Sequence, residues 1–236
     1  AVAIGNGAGT TTQSSASVAV GASSGSSGQG ASSVAVGQLS GQTNQGGSAV
    51  AIGQSAGGTT QGAEGIAIGY LAGTNTQGSQ SVAVGRSAGA ANQGTFSVAL
   101  GYASASTSQG GNAVAVGVSS GASNQGAGSV AVGQVAGQTS QGANAVAIGV
   151  NAGQTNQGTN AVAVGRLAGN TGQFGSAVAI GNAAGQTSQG LNTVAIGVLA
   201  GNNGQLGSSV AIGNSAGQTS QQGSAIAIGR SAGTTT

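Results

Sequence analysis

The chain contains no Pro, Cys, Met, Trp, His, Lys or Asp, and its only charged side chains are Glu64, Arg86, Arg166 and Arg230. Without Cys there is neither a disulfide framework nor a thiolate metal site. With His, Asp and Lys also missing, no catalytic triad, carboxylate pair, zinc site or Walker loop can be assembled, so no enzymatic activity, metal or cofactor is expected. Calcium-binding β-rolls place Asp at fixed positions, which argues against Ca²⁺ as a structural staple. A net charge of +2 makes no basic patch, and a nucleic-acid partner needs several cations in register on the phosphates. No apolar run approaches the roughly 20 residues of a membrane helix, so this segment is not expected to insert into a bilayer. There is no Asn-x-Ser/Thr glycosylation acceptor. Gly-x-Gly runs such as Gly5 to Gly9 follow from the row pattern described next and are very weak as phosphate loops.

What is present is one sentence repeated, for which Ala145 to Asn160, AVAIGVNAGQTNQGTN, serves as the example. Residues 1–236 divide into fourteen full rows of sixteen and a twelve-residue fifteenth row, with no insertion or deletion. A strict period of this length dictates a stacked architecture before any local reading. The chain reads as a single repeat array and as an excerpt of a longer fibre. Positions within a row are called slots one to sixteen below.

Slots one to five read Ser or Ala, Val, Ala, Ile, Gly, with Val or Ile at slot two and Ile, Val or Leu100 at slot four. Alternation of β-branched with small residues predicts a strand. Glycine at every fourth or fifth residue argues against a helix, at about 1 kcal/mol each. Slot three is Ala and slot five Gly in all fifteen rows. The strand therefore has two unlike faces, one of Val and Ile and one of small residues. Slots six and seven vary most and read as the solvent side of a turn. Slot eight is small, leaving room inside for Val and Ile opposite. Slots ten to twelve, as in Gln-Thr-Asn, predict a second, more polar strand, with Thr at slot eleven in ten of fifteen rows. Slot thirteen is Gln in all fourteen rows that reach it, and stacked Gln side chains can pass hydrogen bonds along the axis. The remaining slots form a Gly/Asn/Ser turn. Two short strands and two turns per row predict an all-β parallel β-roll, or β-solenoid, of about 15 rungs at about 4.8 Å per rung. So thin a roll has a poor surface-to-volume ratio, for which association with further copies is the remedy.

Ser-Val-Ala-Val-Gly at Ser81 to Gly85 and Ser-Val-Ala-Ile-Gly at Ser209 to Gly213, each with Ala three residues later, closely resemble the head repeats of trimeric autotransporter adhesins of the Yersinia adhesin type. The resemblance spans all fifteen rows. It implies a left-handed parallel β-roll with three chains packed side by side around a threefold axis. The uniform row, with its added phrase Ala136 to Gly142, departs from the often shorter and less regular bacterial heads. It looks like repeats in fibre proteins of large algal viruses and phages. By the resemblance, the aliphatic slots and the slot-three Ala divide between roll interior and trimer interface. Unvarying Ala and Gly permit close backbone approach, which favours the small face meeting neighbouring chains and the Val/Ile face lying inside.

Arg86, Arg166 and Arg230 share slot six with Tyr70 and Tyr102. They predict one sparse column along an edge, with its arginines roughly 20 to 25 Å apart at the rung spacing. Arg and Tyr are favoured contact residues, so this edge is a candidate contact for a host-cell receptor, glycan or matrix protein. Slot six is equally read as simply the most exposed position, where any side chain is tolerated. Glu64 reads as a solvated surface residue, and Phe96 and Phe174 as covers of a rung edge. The function expected is that of a non-enzymatic fibre segment, stalk or head, of an extracellular surface adhesin or a virion attachment fibre. The alternative is an ice-binding or other surface-exposed monomeric solenoid, suggested by the Thr column. Doubled Thr occurs only near Thr10 to Thr12, Thr59 with Thr60, Thr74 with Thr76, and Thr234 to Thr236. A disordered Gly/Ser/Ala linker is opposed by the strict Val/Ile alternation.

Overall fold

The computed structural model describes residues 1–233 and is built of three-residue parallel strands joined by tight turns. Two compact units form, Ala1–Ser119 and Ser120–Thr236. Each is a parallel β-solenoid with a sixteen-residue coil. In the first unit, strands such as Val50–Ile52, Ile66–Ile68 and Val82–Val84 stack into one sheet, and Thr43–Gln45, Thr59–Gln61 and Asn75–Gln77 into another. The second unit repeats this with Val130–Val132, Val146–Ile148 and Val162–Val164 against Thr139–Gln141, Thr155–Gln157 and Thr171–Gln173. Register never slips: each residue pairs with its equivalent sixteen positions on, as in Val146 with Val162, Ala147 with Ala163 and Ile148 with Val164. Strands occupy slots two to four and eleven to thirteen, one position later for the second strand than the sequence predicts. In the second unit the polar sheet gives way after Thr187–Gln189 to isolated bridges, Thr187 to Asn203 and Asn203 to Thr219.

The interior reverses the expected arrangement. Slot-three alanines, among them Ala51, Ala67, Ala147 and Ala163, are fully buried, and slot-eight alanines such as Ala56, Ala72, Ala152 and Ala168 lie in the same clusters. The aliphatics of slots two and four point outward. Ile148 keeps 40% of its surface exposed and Leu100 44%. The expectation that Val and Ile line the roll while the small face meets other chains is therefore corrected, as is the notion that slot eight makes room for them. At slots three and eight the space inside admits nothing larger than Ala or Ser. Serine substitutes for Ala at slots one and eight without leaving an orphaned hydroxyl. Ser81 Oγ donates to Gly78 O at 2.6 Å, and Ser40 Oγ to Gly37 O at 2.8 Å, and buried polar groups need such partners.

Width is set by the slot-thirteen glutamine, the largest side chain inside. Gln157 is 2% exposed, and its Nε2 donates to Val146 O across the roll at 2.8 Å and to Gln173 Oε1 in the next coil at 3.1 Å. The predicted amide ladder thus exists, running through Gln141, Gln157, Gln173, Gln189, Gln205 and Gln221. Its steadier partner, however, is the slot-two carbonyl, met in the same way by Gln29, Gln61 and Gln93. Slot nine faces the other end of the amide: a Cβ on Gly153 would lie 2.6 Å from Gln157 Oε1. The glycine Cα–H therefore points at that oxygen, a weak hydrogen-bond geometry. Slot five is closed to side chains for another reason. Gly149 has φ +125°, and a Cβ there would sit 2.7 Å from Gly165 O of the following coil.

Ala147→Val is expected to overpack the interior and destabilise the fold by about 1–3 kcal/mol. The outward Ile148→Val should cost less than about 0.5 kcal/mol, in the range of surface changes. Urea midpoints of the two variants check this, and the opposite order would put the aliphatic face back inside.

Candidate functional site

Slot six leaves the coil where the first sheet turns away. The following residue adopts left-handed backbone in every coil, including Leu71 (φ 58°), Ser87 (φ 55°) and Ala103 (φ 51°). That conformation is uncommon for residues with a Cβ. Here it is held by hydrogen bonds from coil to coil: Ser87 N donates to Tyr70 O at 2.8 Å and Ala103 N to Arg86 O at 2.9 Å. The corner is thereby fixed, and slot-six side chains of successive coils leave it in line.

In the first unit this lines up Tyr70, Arg86 and Tyr102. The Arg86 guanidinium carbon lies 5.6 Å from the Tyr70 ring centre and 5.7 Å from that of Tyr102, so the cation is sandwiched between two aromatic rings. All three are exposed, Tyr70 at 44% and Tyr102 at 51%. Among the described residues, no hydrogen-bond acceptor or ion-pair partner meets the guanidinium, and neither phenol is hydrogen bonded. The sparse column expected from the sequence is therefore a compact ladder at this point. Arg166 and Arg230, in the second unit, are exposed without aromatic neighbours. Val150 and Asn182 hold the slot on either side of Arg166, and Asn214 precedes Arg230.

The other singled-out residues lie apart from the ladder. Glu64 is exposed on the row-end turn and accepts a hydrogen bond from Gln80 Nε2 at 2.9 Å. Phe96 and Phe174 are 58% and 60% exposed. Phe174 walls a shallow hollow of about 330 Å³ with Asn156, Gly158, Gly172, Gln173 and Gly175, none of them titratable. Thr10, Thr11, Thr12, Thr59 and Thr60 are exposed, as is Thr76, with Thr74 half-buried; Thr234 to Thr236 lie outside the described residues. A single regular column, Thr139, Thr155, Thr171 and Thr187, follows the register of the second sheet.

The residues that sequence reasoning misplaced make a repeating apolar surface. On each unit the first sheet turns a plane of stacked Val and Ile outward, slot two half-buried by its neighbours above and below, slot four more open. Every side chain on that plane is aliphatic, and none is charged. The signal that could have placed it there was the invariance of slot three beside the Val/Ile/Leu tolerance of slot four.

No protein-family model matches this chain, and no curated protein sequence matches it.

A cation over an exposed ring contributes roughly 0.5–1 kcal/mol. A double-mutant cycle on Arg86→Gln and Tyr70→Ser, read by urea unfolding, is expected to return a coupling in that range. The same cycle on Arg166→Gln and Val150→Ser should return none.

Proposed function

We propose that this chain is a segment of a non-enzymatic structural fibre, stalk or head, of an extracellular surface adhesin or virion attachment fibre, working as a side-by-side homotrimer. The observation that supports this best is the outward aliphatic plane. Its interior filled by Ala, Ser and Gln, each unit carries its Val and Ile where a partner would cover them. Contiguous exposed apolar surface, where it is extensive, marks an interaction site in soluble proteins. The plane is self-complementary, carries no charge to desolvate, and repeats at every coil, which suits identical chains lying in parallel and in register. The resemblance of Ser81 to Gly85 and Ser209 to Gly213 to adhesin head repeats supplies the threefold arrangement and the left-handed sense of the coil. In this reading strand side chains form the intermolecular core, and the backbone ladder provides stiffness along the axis.

A second reading, a monomeric solenoid that uses its polar sheet against ice or another ordered surface, is favoured only by the Thr139 to Thr187 column. Solution mass separates the two. Sedimentation of the 236-residue chain is expected to give about three times 21.3 kDa. Placing Thr at Val146, Ile148, Val162 and Val164 together should shift the species toward monomer while keeping a β-rich spectrum. A stable wild-type monomer would sink the trimer and bring the second reading forward.

A further inference from the structure

The first unit has one cation, Arg86, and one acid, Glu64, which sits on the row-end turn with Gln80 rather than on slot six. The guanidinium thus has no internal counterion, and both its faces are covered by Tyr70 and Tyr102. Stacking of this kind restrains a long side chain without using its N–H groups, since the attraction is to the ring faces. What remains is a row of donors, phenol, guanidinium, phenol, one per coil, exposed and unengaged by the protein.

We propose that this ladder binds a carboxylated sugar of an acidic glycan, the carboxylate on Arg86 and neighbouring sugar hydroxyls on Tyr70 and Tyr102. A planar guanidinium takes a carboxylate through two parallel hydrogen bonds. A single cation matches a single negative charge; a sulfated polymer or a phosphate chain needs several cations in register, and this unit has one. Flanking phenols suit hydroxyl-bearing rings better than a bare inorganic anion. Because the guanidinium is already held, binding loses less side-chain freedom than at an isolated arginine. The proposal deepens the surface-attachment reading and rests on it only for the setting in which a glycan is met. The ladder lies in the corner turn and needs neither a second chain nor the aliphatic plane.

The test uses the whole 236-residue chain and measures affinity for methyl galacturonide and for 3′-sialyllactose, each with one carboxylate, with methyl galactoside and lactose as uncharged counterparts. At least one acidic sugar is expected to bind and its neutral counterpart not. Arg86→Gln should weaken binding by roughly tenfold to a hundredfold, the range for losing a charge-assisted hydrogen-bonded pair. Tyr70→Ser with Tyr102→Ser should weaken it several-fold with the charge intact, and Arg166→Gln should leave it unchanged. Binding of neither acidic sugar, equal binding of acid and neutral forms, equal retention of sulfated dextran, an unaffected Arg86→Gln or an equal loss in Arg166→Gln would each overturn the assignment. A trimer that binds no acidic sugar sinks this proposal alone. A monomer that binds one sinks the trimer alone.

Discussion

The buried amide of the slot-thirteen glutamine is the constraint on which the rest of each coil depends. Gln61 reaches across the roll to Val50 O at 2.8 Å and also to Gly65 O at 3.0 Å, tying the polar strand both to the apolar strand of its own coil and to the end of the turn into the next one. A side chain of fixed length at one point of every coil sets how far apart the two sheets stand. It also supplies donors for backbone carbonyls that face inward and would otherwise lie unmet in a dry interior. Once that width is fixed, slot three must be Ala, slot eight Ala or Ser, and slot nine a residue without a Cβ. The one departure, Ala105 at slot nine, is still fully buried, with backbone in the left-handed region (φ 44°).

A core of Ala and Gln gives such a solenoid little of the apolar burial on which most domains rely. Each Ala contributes far less than a Leu or Phe, since the gain scales with apolar area removed from water. Compensation comes from regularity. Most coils add ladder hydrogen bonds in both sheets, a corner hydrogen bond such as Asn151 N to Gln134 O at 3.0 Å, and a Gln side-chain bond. Identical side chains stacked in register also cover one another, which is why slot-two valines are half-buried without any partner chain. The remaining apolar surface faces outward. In the proposed trimer it would be covered, coupling stability and assembly through the same strand.

Much of this was legible in the residues. The sixteen-residue period gave the coil, the Val-Ala-Ile alternation gave the strand, and Gly149 and its equivalents announced a backbone position closed to side chains. The facing of the strand was not legible from alternation, because a period of two is satisfied equally with either face inside. Assuming that the larger aliphatics go inward failed because burial preference runs one way: apolar residues dominate interiors, yet surfaces are full of apolar atoms too. Slot thirteen held the missing clue, since a Gln that never varies and lies inside leaves no width for Val. The left-handed turn positions divide similarly. Asn44, Asn124 and Asn156 at slot twelve advertise their conformation, whereas Leu39 and Leu167 at slot seven do not, being carried there by hydrogen bonds from the neighbouring coil. The Tyr70–Arg86–Tyr102 contact was present in the sequence as one slot in three consecutive rows.

The distribution of variation separates scaffold from surface. Slots three, five and thirteen do not vary because the interior and the coil-to-coil approach forbid it, and slots two and four vary only among aliphatics. Chemistry is confined to corners, where a side chain points away from both sheets and the backbone hydrogen bonds do not depend on its identity. Tyr, Arg, Val, Asn and Gln all occupy slot six on the same backbone. A substitution there changes the surface without touching the width set by glutamine. Because one coil follows the next at a fixed spacing, two or three such substitutions in consecutive rows suffice to assemble a binding feature that no single row contains. The ladder at rows five to seven has that form. A solenoid of this kind gains recognition chemistry by changing neighbouring letters in one column, with the fold indifferent to the change.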